Sequence, residues 1–233
     1  MRQHESRSTR PLLAAGVLAP LLFVGAALLE GATRPGYSAW RHAVSQLALG
    51  AQGWTQTLAF LVAGALAIAF AAGLGPVLRE RPGRVWGPRL TAAIGAILVL
   101  LALFPIQPGL GYPPPDQPVL GPLVPDIPLH GVVHALAGTA LFGCLSALCF
   151  VLARGRGRAW AAISIACGTA VAAFYVATAV VTTMDQVGVL SPAPGGLLQR
   201  VALFTGFGWM ALLAVRLLSA ADRRAPASAA VAS

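Results

Sequence analysis

Six long segments of the chain consist almost entirely of apolar residues, and this feature restricts the fold more than any other. They cover about residues 12–29, 54–77, 90–104, 129–153, 159–181 and 198–218. A helix needs about 20 apolar residues to cross the roughly 30 Å hydrocarbon core of a bilayer, since each residue adds about 1.5 Å. The pattern therefore predicts an all-α, polytopic membrane bundle of six transmembrane helices.

The overall composition excludes an ordinary soluble domain. The 233 residues are 57% hydrophobic and only 10% charged, against about 25% charged in a typical soluble domain. Such a chain has too few polar residues to cover its apolar surface in water. The formal net charge of +9 comes from arginines in short clusters between the apolar segments. That distribution orients membrane proteins and argues against nucleic-acid binding.

The arginine distribution also predicts the orientation. With six spans both termini lie on one side, and that side holds thirteen of the sixteen arginines. The positive-inside rule makes it the cytoplasmic side. We expect a cytoplasmic segment at 1–10, a six-helix transmembrane domain at 11–220 and a disordered cytoplasmic tail at 221–233. Abundant alanine and arginine without lysine favour a bacterial source, and hence the inner (plasma) membrane.

The first loop on the outer side combines aromatic and charged residues. Residues 38–49 are expected to form a short helix at the membrane interface. Trp40, Val44 and Leu47 fall on one face of such a helix, because they follow a spacing of i, i+4 and i+7. Aromatic rings with a polar tip concentrate at the headgroup level, which supports this placement.

Polar side chains outside the basic loops gather at one level, the outer mouth of the bundle. The loop before the fourth span is rich in proline and carries two carboxylates, Asp116 and Asp126. The inner halves of the spans are nearly featureless, which argues against proton pumps and ion channels because these need polar groups at depth. The predicted pocket at this mouth comprises Ser45, Gln46, His42, Asp126, His130, His134 and Asp185.

Two histidines open the fourth span with metal-ligand spacing. His130 and His134 are four residues apart, which places both imidazoles on one helix face. His42 is a candidate third ligand, and three ligands with an open position are typical of a catalytic zinc site. The alternative is that these histidines hydrogen-bond to loop carbonyls or to Asp126 and Asp185. Zinc is the cofactor that the pattern suggests.

Three arginines lie on the outer side, namely Arg34, Arg41 and Arg200. Guanidinium forks bind phosphate oxygens well. These side chains are therefore predicted to bind anionic lipid headgroups, with ordinary interfacial anchoring as the alternative.

Short motifs follow one another along the outer side of the chain. They are Arg34-Pro-Gly-Tyr-Ser38, Ser45-Gln-Leu-Ala-Leu-Gly50, Phe104-Pro105 at the end of the third span, and a histidine that opens the fourth. With six spans over about residues 10–220, they resemble the bacterial membrane family catalogued as domain of unknown function 998. The resemblance implies a multipass membrane fold and little about activity.

The chain departs from that family at two places. Members often carry acidic residues where this sequence has Gln46 and Ile106-Gln107. A role that depends on those carboxylates would here fall to Asp116 or Asp126. The six-span outline also resembles the eukaryotic Frag1/DRAM/Sfk1 group, some of whose members are linked to lipid handling, but only at the level of the fold.

Three classes of function are compatible with these features. The first is binding, in which the outer pocket holds a lipid headgroup or a segment of a partner membrane protein. The second is a metal-dependent hydrolase or transferase that acts on lipid of the outer leaflet. The third is a small-molecule transporter, in which Pro20 and the prolines beside the loops permit rocking. Binding is the favoured expectation, membrane lipid is the expected partner, and the question of enzyme activity stays open.

Overall fold

The computed structural model describes residues 2–115 and 130–229, and it contains no β-strand in these residues. Its six helices are α1 Arg2–Thr33, α2 Gly53–Leu78, α3 Trp86–Leu103, α4 His130–Val151, α5 Arg158–Gln186 and α6 Gly195–Ala229. Each contains a stretch that is long and apolar enough to cross a membrane. The predicted all-α bundle of six transmembrane helices is confirmed, and each predicted span falls on one helix.

The first and last helices continue beyond the apolar segments. Helix α1 begins at Arg2, and the tail that was predicted to be disordered from residue 221 is helical as far as Ala229. Residues 230–233 lie outside the described residues. Because helix continuity does not mark where a bilayer ends, the domain boundaries at residues 10 and 220 stay predictions.

The six helices form a closed ring. Helices that follow one another in the chain pack side by side, and α6 packs against α1. Because chain direction alternates, the ring has two distinct ends. The loop end carries residues 34–52, 104–115 and 187–194, whereas the terminal end carries both helical termini and the loops 79–85 and 152–157. Which end faces the cytoplasm stays a prediction from the positive-inside rule.

The first loop folds into the loop end of the ring. It contains a 3₁₀-helix at Val44–Ala48, and Val44 and Leu47 are only 1% and 0% exposed, whereas Trp40 is 50% exposed. The prediction of one helix over residues 38–49 is therefore wrong, and the helical part is only the 3₁₀-helix at Val44–Ala48. A glycine at the start of α6 allows the close approach, since any side chain at Gly196 would collide with the carbonyl oxygen of His42.

Candidate functional site

A cavity of about 140 Å³ lies inside the loop end of the ring. All six helices and the first loop contribute to its wall, so it lies between the helices and not on one side of them. Its lining consists of Phe23, Val44, Ser45, Phe60, Leu101, Ile106, His134, Ala135, Gly138, Leu141, Phe142, Tyr175, Gln199 and Leu203. Most of these side chains are apolar, and the few polar ones determine what the cavity can recognise.

Within residues 2–115 and 130–229, three polar side chains of the lining keep a hydrogen-bonding position unused. His134 donates from Nδ1 to the carbonyl oxygen of Phe104 at 2.7 Å, which leaves Nε2 as an acceptor when the ring is neutral. Gln199 accepts the Val44 N–H at 2.8 Å through Oε1, which leaves its amide nitrogen. The Ser45 hydroxyl has no hydrogen-bond partner among the described residues. The cavity thus offers an acceptor, a donor and a hydroxyl.

The cavity reaches the outside of the ring between α4 and α5. In its lining, Ala135 is exposed and Gly138 and Tyr175 are half-buried. The Tyr175 ring stacks on Phe142 with centroids 4.2 Å apart. Its hydroxyl lies 2.6 Å from the Thr139 hydroxyl, which itself donates to the Ala135 carbonyl. Tyr175 must therefore donate to Thr139 and can still accept one hydrogen bond.

Two of the predicted pocket residues, His42 and Gln46, form hydrogen bonds with backbone groups of the loops instead of lining the cavity. His42 accepts the Ser38 N–H at Nδ1, at 2.9 Å, and Nε2 lies 3.1 Å from the Leu110 carbonyl oxygen. The ring is therefore neutral with its proton on Nε2, and burial lowers the pKa of His42. Gln46 accepts from its own loop and donates to the Gly109 carbonyl at 2.9 Å. Together they join the first loop to the turn at 109–112.

The three arginines that were predicted to bind headgroups are engaged with protein groups. Arg41 forms a two-point ion pair with Asp185, with both N···O distances at 2.7 Å. Arg34 donates through Nη2 to Glu30 and Thr55 at 2.6 and 3.1 Å, whereas its buried Nη1 has no partner among the described residues.

Arg200 stabilises the first loop from α6. It is only 6% exposed. Its Nη1 lies 2.9–3.0 Å from the carbonyl oxygens of Ala39, His42 and Gly196, and its Nη2 donates to the hydroxyl of Tyr37. Burial raises the pKa of Tyr37, so this phenol keeps its proton and donates to loop carbonyls in turn. None of the three arginines lines the cavity.

Only some of the residues of the predicted zinc site are among the residues that the structure describes. Asp116 and Asp126 lie outside the described residues, and His130 is the first residue of α4. Within residues 2–115 and 130–229, no group of three or more His, Cys, Asp and Glu side chains could hold a metal ion. His42 and His134 each bond to a carbonyl of the 104–110 segment. Zinc at His42, His130 and His134, and the hydrolase that would need it, stay predictions.

The cavity lining includes two residues of the predicted pocket and two polar residues that were not part of that prediction. Ser45 and His134 belong to the predicted pocket, whereas Gln199 was expected only among the polar side chains of the outer mouth and Tyr175 was not singled out. Tyr175 carries a hydroxyl within the fifth apolar segment, which also contains Ser164, Thr169 and Thr178. A polar group at such depth is costly unless it has a function or a partner, but this signal applies to all four residues and only the structure distinguishes Tyr175.

The fold and the site together define a six-span integral membrane protein whose helices close around a mostly apolar cavity. The chain belongs to the family described as "Protein of unknown function (DUF998)", whose model matches residues 17–216. This range includes every residue of the cavity, and it confirms the resemblance carried by the short motifs. Neither the curated proteins nor the solved structures contain a match to the chain.

Proposed function

We propose that the protein binds an amphipathic lipid with a neutral polar end in the cavity at the loop end. The observation that carries the proposal is the lining itself. It is apolar except for a small set of groups that includes Ser45 Oγ, Nε2 of His134 and the amide nitrogen of Gln199, all with a hydrogen-bonding position that no described residue uses. A hydroxyl or carbonyl at the end of an apolar chain satisfies such groups and buries its chain against the wall.

A neutral polar end fits better than a phosphate because the three arginines of the loop end are already engaged with protein groups. Asp185 balances Arg41, and Glu30 balances Arg34. Arg200 donates to carbonyl oxygens of the first loop. A phosphate would have to displace these partners, and it would also be buried against apolar side chains, which is costly for an unpaired charge.

The volume of the cavity accommodates one end of a lipid and not a whole molecule. An apolar cavity of about 150 Å³ in a protein core holds a ring the size of benzene, and this cavity has about 140 Å³. The remainder of the chain would leave between α4 and α5, past Gly138 and Tyr175, into the surrounding lipid. The exposed apolar side chains on that side, such as Leu136 and Val176, suit such contact.

Filling the cavity from α4 tests the proposal. Gly138 lines the cavity, and a Cβ added there meets no atom within 4 Å, so Gly138→Leu adds a large side chain at the cavity wall without a clash at its Cβ. Gly143→Leu makes the same change on the same helix, where a Cβ also meets nothing within 4 Å and which does not line the cavity. A photoactivatable monoacylglycerol should label the wild-type protein and Gly143→Leu equally, and label Gly138→Leu about tenfold less.

A second variant tests the polar end of the ligand. Ser45→Ala removes one hydroxyl, and loss of a hydrogen bond worth about 1 kcal/mol weakens binding about fivefold. A photoactivatable phosphatidylglycerol serves as the charged comparison and should label poorly in the cavity peptides. Equal labelling of Gly138→Leu and Gly143→Leu, or labelling that Ser45→Ala does not change, would show that the cavity is not the binding site.

A further inference from the structure

The two loops of the terminal end interlock. Gly83 and Gly155 both have positive φ values, +85° and +77°, which L side chains rarely adopt. A Cβ at Gly155 would lie 2.9 Å from Cγ of Pro82, and one at Gly83 would collide with the side chain of Leu152. The absence of side chains at these two positions lets the loops 79–85 and 152–157 touch, which brings their arginines together.

Arg156 lies at this contact with half of its guanidinium unused. Its Nη1 donates to the carbonyl oxygens of Leu152 and Arg154 at 2.9 and 3.3 Å. Its Nε and Nη2 are buried and have no hydrogen-bond partner among the described residues. These two nitrogens form one edge of the planar group, and this edge presents two parallel N–H donors.

Two further arginines lie close enough to repel the charge of Arg156. They are Arg81 of the first of these loops and Arg216 of α6, and together with burial they lower the pKa of Arg156. Arg216 lies 4.6 Å from the ring of Trp160, whose Nε1 donates to the same Leu152 carbonyl that Arg156 uses. In the part of the chain that the structure describes, no carboxylate forms an ion pair with any of the three.

A guanidinium remains charged in a protein, and its buried N–H donors cost free energy when they have no acceptor. Three like charges that converge without a counter-ion among the described side chains add repulsion to that cost. An anion with several oxygens removes both penalties at once. Phosphate has the geometry for this, because two of its oxygens match one guanidinium edge and a third can reach a neighbouring cation.

We propose that Arg156, with Arg81 and Arg216, binds a phosphate group at the terminal end of the bundle. Two sources share this chemistry, the headgroup of an anionic lipid and free phosphate or a small phosphorylated molecule. Basic pockets between membrane helices bind anionic lipid headgroups in this way. The site lies at the opposite end of the ring from the cavity, so it does not depend on the function proposed above.

The test separates the effect of positive charge from that of the paired guanidinium donors, with variants at positions 154 and 156. Native mass spectrometry of the full chain in neutral detergent measures binding of phosphatidylglycerol, and isothermal calorimetry measures binding of inorganic phosphate. Arg156→Gln removes the guanidinium group, and Arg156→Lys keeps the positive charge but not the two parallel N–H donors. Arg154→Gln is the control for Arg156→Gln, because Arg154 is exposed in the same loop and the change in net charge is the same. Both Arg156 variants should bind phosphatidylglycerol about tenfold more weakly or worse, and Arg154→Gln less than about twofold.

The source of the phosphate follows from the two probes. Binding of phosphatidylglycerol that inorganic phosphate does not displace indicates a lipid headgroup, whereas binding and competition by inorganic phosphate indicate a soluble ligand. If Arg156→Gln fails to fold, the paired variant Arg81→Gln/Arg216→Gln leaves the buried contacts of Arg156 intact and should show the same loss. Equal weakening by Arg154→Gln and Arg156→Gln, or no binding of either probe, would overturn the proposal.

Discussion

At the scale of single residues, His42 joins two loops through both nitrogens of its ring. The N–H that Nδ1 accepts belongs to Ser38, four residues away, but the carbonyl at Nε2 belongs to Leu110, 68 residues away. The Tyr37 and Tyr112 rings each lie 5.4 Å from the His42 ring and 5.3 Å from each other, so the three rings form one cluster. Sequence position identified His42 as a polar residue of the mouth. Its role depends on which backbone groups face it, and only the folded chain decides that.

We expect the stability of the protein to fall in mild acid through His42. Burial lowers the pKa of His42 below the ordinary 6.5, so below that pH the unfolded chain binds a proton that the folded chain does not. Stability from the neutral ring is complete above about pH 6.5 and is lost as the pH falls from about 6.5 towards the lowered value. The melting midpoint in detergent should fall between about pH 7 and about pH 5.

A histidine variant separates this effect from general acid sensitivity. His42→Gln should flatten the slope of melting midpoint against pH, even if it lowers the midpoint at every pH. An unchanged slope in His42→Gln would place the acid sensitivity elsewhere.

The predicted pocket residues differ in whether they line the cavity. Ser45 and His134 were predicted because polar side chains near helix ends and loops are candidates for binding, and both line the cavity. Asp185 was predicted with them, yet it is buried in an ion pair with Arg41 and also accepts the Ala193 N–H at 3.2 Å. The two residues are 144 positions apart in the chain, and nothing in the sequence indicates that they form an ion pair.

At the scale of helices, α2 and α3 touch through backbone. A Cβ at Gly64 would lie 2.8 Å from the Gly95 carbonyl oxygen, and a Cβ at Gly95 would lie 2.6 Å from the Gly64 carbonyl oxygen. Lipid gives helices no hydrophobic reason to associate, so close packing over small residues supplies much of the attraction. These two glycines are therefore expected to set the distance between the helices.

We expect Gly95→Ala to destabilise the bundle despite the better helix propensity of alanine. The added methyl must push α2 and α3 apart, and overpacking of this kind costs about 1–3 kcal/mol. Gly25→Ala in α1 is the matched control, because its Cβ meets no atom within 4 Å and only the propensity gain of up to about 1 kcal/mol remains. Unfolding by SDS titration should show opposite signs for the two variants, and a stabilised Gly95→Ala would contradict the expected contact.

The first loop shows why a helical spacing of apolar residues led to a wrong prediction for residues 38–49. Trp40, Val44 and Leu47 have the spacing of an amphipathic helix, and periodicity alone cannot tell which environment supplies the apolar surface. Here the surrounding helix ends supply it, so the segment folds into the mouth as a 3₁₀-helix with Val44 and Leu47 buried. Arg200 and Gln199 of α6 bond to its backbone, and these partners are distant in sequence.

At the scale of the whole molecule, the ring places one end of every helix around the cavity. Phe23 of α1, Phe60 of α2 and Phe142 of α4 belong to the same wall, and the Phe23 ring packs against those of Phe60 and Phe207, with centroids 5.3 and 5.0 Å apart. A change in any one helix therefore alters the shape of the cavity. This shared wall is why we argue a binding function from the cavity and not from a single motif.

The terminal end is predicted to face the cytoplasm. A reporter that fluoresces only in the cytoplasm should be active when fused after Arg156, in the loop 152–157, because that end carries most arginines. The same fusion after Gly188, in the loop 187–194, should be inactive. The reverse result would invert the orientation, and activity at both positions would contradict six spans.

The sequence by itself determined the class of protein, the number of spans and the basic end of the bundle. Each follows from apolar length and charge, which act within one segment. Only the tertiary structure decided that the helices close into a ring, that the first loop enters its mouth, and that the arginines at the loop end serve the fold. Those outcomes depend on which groups from distant segments meet, since a buried donor or charge is stabilised by whatever acceptor lies opposite it. Ser45 and His134 were visible from the sequence, but the cavity that they line exists only between six packed helices.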